Sequence, residues 1–114
     1  MISDQKVSLV ISIHQNTFSD KRYSGAQVFY HDDERSIELA NQLQGQLIHT
    51  LNPSSKRKPK QAKGIYLMEH LPCPGILLEC GFLTNAQEEA KLRSDGYQKE
   101  ICGVIATTVS CNWK

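Results

Sequence analysis

This chain has no long hydrophobic run, almost no net charge and few aromatic residues. Its apolar stretches last only a few residues, against the about 20 that a bilayer-spanning helix needs, so no membrane span is expected. A formal charge of +1 supplies no global field demanding nucleic acid or an acidic membrane. The opening Met1-Ile2-Ser3-Asp4-Gln5-Lys6 lacks a basic region followed by an apolar core; the expectation is a cytosolic protein or an export segment upstream of Met1. No two cysteines are spaced as a CxxC pair or a zinc ribbon. Cys73, Cys80, Cys102 and Cys111 are expected as free thiols, packed as small buried hydrophobes.

What is present is ordinary for a soluble domain: 114 residues, 39% hydrophobic and 22% charged. The length fits a single domain over 1–114. Val7 to Ile13 is β-branched and apolar at nearly every position, as in a strand buried on both faces. Thr17 to Gly25 is a polar loop, and Gly25 to Tyr30 a second strand. From about Glu34, the residues Ile37, Ala40, Leu43, Leu47, Ile48 and Leu51 recur at helical spacing until Asn52-Pro53 stops them. A basic loop, Lys56 to Lys63, leads to a third expected strand, Ile65 to Met68, and a fourth, Gly75 to Cys80. Asn85 with Glu88, and Asp95 with Gln98, offer helix caps. The last helix carries Tyr97, Ile101, Val104, Ile105 and Thr108 on one stripe. Alternating strands and helices predict an α/β layer fold with mainly parallel pairing.

Two strand ends carry the chemistry. His14 follows the first strand, and Glu79 closes the fourth just before a Gly turn. Parallel neighbours would bring both to the carboxyl edge of the sheet, where open α/β folds keep their ligand crevice. An imidazole and a carboxylate there suit a metal ligand and a general base for water. The plain alternative for His14 is a satisfied histidine at a strand end. His31, His49 and His70 are weak candidates to complete a metal site: the first opens an acidic turn, the second sits late in a helix, the third approaches the Glu79 strand. The basic loop reads first as solvated surface, second as a carboxylate clamp in which the planar fork of Arg57 is the useful member. No aromatic residue interleaves it, which disfavours nucleic acid. Alternation sends Cys80 to the face opposite Glu79, toward the core and away from nucleophilic chemistry.

Taken together, Ser12-Ile13-His14-Gln15-Asn16, Gly25 to Tyr30 and Pro74 to Asn85 resemble the zinc-dependent N-acetylmuramoyl-L-alanine amidases. Gly64-Ile65-Tyr66-Leu67-Met68 is most similar to the branch serving sporulation and germination at the spore cortex. The resemblance runs from about Val7 to the C-terminal helix. It implies a mostly parallel sheet flanked by helices on both faces. It further implies peptidoglycan as substrate, Zn2+ as cofactor, an extracytoplasmic setting at the cell wall or cortex, and cleavage of the amide between N-acetylmuramic acid and L-alanine. His14 matches the last of the family's three zinc ligands and Glu79 its catalytic glutamate. Asn16 lies in the His14 motif as an orienting or substrate-binding group, and Arg57 sits where a basic residue recurs before the third strand and is carried as a candidate substrate contact.

Family members begin with a strand ending in a Gly-His-Gly-Gly type motif, and a Glu ligand follows on the next helix. This chain shows neither, so it resembles the C-terminal two-thirds of an amidase with an incomplete zinc site. The expectations are little activity and a homodimer or swapped oligomer. The alternatives are a catalytically dead module that binds peptidoglycan or a partner, and a cytosolic protein that keeps only the fold.

Overall fold

The computed structural model describes residues 8–16, 25–51, 53–82 and 86–113. In chain order the elements are β1 (Val10–Asn16), β2 (Gln27–Tyr30), α1 (Glu34–Leu51), β3 (Lys60–Gln61), α2 (Tyr66–Glu69), β4 (Gly75–Phe82), α3 (Ala86–Arg93) and α4 (Asp95–Asn112). The strands form one sheet in the order β1-β4-β2-β3. β1 runs parallel to β4 and β2 parallel to β3, while β2 and β4 are antiparallel. The expected α/β fold with a mostly parallel sheet and helices on both faces is therefore present.

Alternation along the strands sorts the side chains into two layers. On one face Val28, Ile76, Leu78 and Cys80 meet Leu39, Leu43 and Leu47 of α1 and Ile101 of α4 in the main core. On the other, Leu77, with Val10 and Phe29, packs under Met68 and Leu71 in a smaller cluster. The α1 stripe is as expected at Ala40, Leu43 and Leu47, but its buried positions also include the polar Ser36 and Gln44. Both have structural work. The Gln44 side-chain amide accepts from Val28 N at 2.8 Å and donates to Ala26 O at 3.1 Å, replacing a neighbouring strand along β2. The Ser36 hydroxyl donates to the Asp33 carboxylate at 2.6 Å and accepts from Gly75 N at 2.8 Å, tying the start of α1 to the start of β4. Asp33 also caps α1 by accepting from Ser36 N at 2.9 Å. At the far end, Arg35 lies 3.8 Å over the Trp113 ring and fastens α4 to α1.

Four expectations are corrected. Ile65 to Met68 is not a strand: Tyr66–Glu69 is the short helix α2, and the third strand is Lys60–Gln61. Met68 of α2, with Ile65 at its N-cap and Leu71 just beyond its end, packs into the smaller cluster. A turn at Gly64, with φ +79°, separates β3 from it. The first strand begins at Val10 rather than Val7 and continues to Asn16, drawn along by its ladder with β4. The last helix is capped by Ser94, whose hydroxyl accepts from Tyr97 N, and not by Asp95, which occupies the first turn. All four cysteines are free, but only Cys80 is buried, because Cys102 and Cys111 lie on the solvent side of α4. The loop expected over Thr17 to Gly25 falls almost wholly outside the described residues, as do Val7 and Asn85.

Candidate active site

The ladder between β1 and β4 pairs His14 with Glu79, and the ladder between β2 and β4 pairs Gln27 with the same Glu79. Strand neighbours are about 4.8 Å apart, so His14, Glu79 and Gln27 form one row across the sheet with Glu79 at its centre. Register partners share a face, and this row lies on the face opposite the main core. His14 is therefore inside β1 rather than after it. Immediately beyond, the β1–β4 register shifts, and Asn16 comes opposite Phe82. The backbone of Asn16 is thus close to the row; its side chain lies outside the described atoms.

His14 is exposed, and its Nε2 is 2.9 Å from the Ser12 hydroxyl, which fixes the ring from the same face of the same strand. Glu79 is half-buried. Its Oε2 is fully buried and has no hydrogen-bond partner among the described residues. Burial pushes the Glu79 carboxyl above the ordinary carboxylate value, and the neighbouring His14 pulls it partly back. A carboxylate held nearer neutrality, with one oxygen unpaired among the described residues, is suited to accepting a proton from a water.

Arg57 joins the row through Gln27. Its Nη1 donates to Gln27 Oε1 at 3.3 Å, while Gln27 Nε2 donates to the Lys58 carbonyl at 2.7 Å. Gln27 and Ser12 were not singled out in the sequence for these duties. The available signals were a glutamine inside an otherwise apolar strand and a serine two residues before His14.

The remaining histidines lie elsewhere. His31 Nδ1 donates to the Met68 carbonyl at 2.6 Å, and His70 Nδ1 to the Tyr66 carbonyl at 2.9 Å. His49 is exposed in the last turn of α1. Among the described residues no three His, Cys, Asp or Glu side chains gather where they could hold a metal. Zinc asks for three protein ligands and an open water position. The buried, unpartnered Glu79 oxygen beside His14 is compatible with a cation nearby, yet the described residues do not compose a zinc site. Cys80 points to the other face, and its thiol is pushed up to about 11, chiefly by burial and then by Glu79 and Cys102. It is no nucleophile.

A model of the N-acetylmuramoyl-L-alanine amidase family matches residues 1–111. The chain belongs to this amidase family. It is 37% identical over 106 residues to the germination-specific N-acetylmuramoyl-L-alanine amidase of Bacillus subtilis, covering 92% of this chain and 44% of that protein. It is 28% identical to the uncharacterized protein YqiI of the same organism, covering 94% and 52%. Among solved structures it matches the CwlD amidase from Clostridioides difficile, determined in complex with the GerS lipoprotein, with a TM-score of 0.91 and 34% identity over 97% of this chain and 57% of that one. The chain thus spans about half the length of these relatives. The likeness to germination amidases agrees with the branch that Gly64 to Met68 resembles.

Proposed function

We propose that this chain carries, as one domain over 1–114, the His14–Glu79 part of a peptidoglycan amidase centre. The bond cleaved is the amide between the lactyl group of N-acetylmuramic acid and the L-alanine of the stem peptide, in the cell wall or spore cortex. Glu79 takes the proton of the attacking water, His14 would be the one residue here to hold a zinc ion, and Arg57 and Asn16 contact substrate. The observation that carries the reading is the His14–Glu79 register pair with its buried, unpartnered Glu79 oxygen. No step is assigned to the metal, because the described residues offer it only His14 among three required ligands.

The second reading is a module that grips peptidoglycan or a partner without turnover. The purified chain, incubated with zinc and defined muropeptides, separates the two. Release of L-alanine amino termini, lost in Glu79→Gln, is expected of the first; co-sedimentation with insoluble wall, unaffected by a chelator and without release, is expected of the second. Turnover that survives Glu79→Gln sinks the assignment of Glu79. Self-association is proposed through β1, which ends the described sheet with one neighbour and carries Ile13 at 55% exposure; sedimentation velocity showing only monomer across a concentration series removes it.

A further inference from the structure

The segment Ser55 to Lys60, together with Gln27, lines a cleft of about 550 Å³ beside the Glu79 row. Of the seven described residues that line it, four are cations (Lys56, Arg57, Lys58 and Lys60) and none is a carboxylate. We infer that this cleft is a subsite for a carboxylate-rich peptide, and that it selects stem peptides with free acids over amidated ones. The inference rests on the amidase reading for the peptide's identity but not for the cleft's chemistry.

Three bonds separate this loop from an ordinary solvated turn. The Lys58 carbonyl is held at 2.7 Å by the side-chain amide of Gln27, itself 3% exposed. The Arg57 guanidinium donates to the other end of that amide. The Arg57 backbone N–H donates to the Ser55 hydroxyl at 3.2 Å. A buried glutamine in β2 thus sets both backbone and guanidinium of the loop, and β3 fixes its far end by pairing Lys60 with Phe29. A guanidinium fixed in advance loses little freedom on meeting an anion. The guanidinium suits a planar carboxylate in two-point contact, and the ammonium groups add point charges around it. Gln27 is also the cross-strand partner of Glu79. One residue of the cleft's lining is therefore the strand neighbour of the group assigned to the attacking water.

The test is calorimetric titration of the 114-residue chain with L-alanyl-L-glutamic acid, with its diamide and with inorganic phosphate. The diacid is expected to bind at least about tenfold tighter than the diamide, the worth of one charge-assisted hydrogen bond, and to weaken as salt is added. Lys58→Glu and Lys60→Glu, both at exposed positions, should abolish that preference while melting like the parent. Arg57→Lys should reduce it through loss of the two-point contact. Equal binding of diacid and diamide overturns the inference, as does phosphate binding as tightly as the diacid, since the cleft would then take any anion. Diacid preference in a chain that never frees L-alanine amino termini leaves the cleft standing and removes the catalytic reading; turnover without the preference does the reverse.

Discussion

Glu79→Gln is expected to make the protein more stable at neutral pH while removing whatever catalysis Glu79 supports. A buried acceptor without a partner costs about 1–3 kcal/mol, and more when it carries charge. Gln keeps the shape and still leaves one amide atom unpaired, so only the charge-dependent part is recovered. Glu79 is half open to solvent, which reduces that part to about 1 kcal/mol. For a domain of this size the gain corresponds to a rise of about 4 °C in melting temperature. The pH dependence has a fixed sign. Burial raises the Glu79 value in the fold above its value in the unfolded chain, and the opposing pull of His14 is the smaller influence. The folded state therefore holds this proton more tightly, and parent stability falls as pH climbs from the ordinary carboxylate range through the raised value. The advantage of Glu79→Gln is full above that window and closes on acidification. Thermal unfolding of both proteins across this range measures it. A variant no more stable at neutral pH, or one whose advantage grows as acid is added, refutes the reasoning.

Gln44→Leu should destabilise by about 2–5 kcal/mol, since it orphans Val28 N and Ala26 O together; urea unfolding shows whether the cost is that large. Gly75→Ala should cost about 1–3 kcal/mol, because the new Cβ collides with Leu71 Cδ1 and lies 3.3 Å from the Val10 carbonyl. The same urea series reads it, and a neutral result would mean that Leu71 moves aside freely. A thiol alkylating agent at mildly alkaline pH should label Cys102 and Cys111 well before Cys80, whose thiol sits at about 11; peptide mapping of the modified sites gives the order.

The strongly periodic parts of the sequence were legible. The α1 stripe, the α4 stripe and the apolar β4 segment each announce their type, and the parallel pairing expected to join His14 to Glu79 is the observed ladder, with both residues inside their strands rather than at the ends. What escaped was decided by contacts distant in sequence. Ile65 to Met68 is too short for periodicity to separate strand from helix, and only the smaller core cluster resolves it. β3 has two residues and no hydrophobic signature; it exists because Phe29 and Tyr30 offer it a ladder. Gln27 and Gln44 look like polar interruptions until the loop and strand they hold are seen. The arrangement of Arg57 was legible only as chemistry: its residue type suggested a carboxylate clamp, while its position depends on an amide thirty residues earlier.

Gln44 has a wider consequence. By splinting the outer side of β2, one helical side chain relieves the segment before β3 of any duty to continue the ladder. Ser55 to Pro59 can then swing clear and spend its side chains outward instead of on sheet pairing. Variation in that stretch should be tolerated without unravelling the sheet, leaving ligand preference adjustable beside a fixed scaffold.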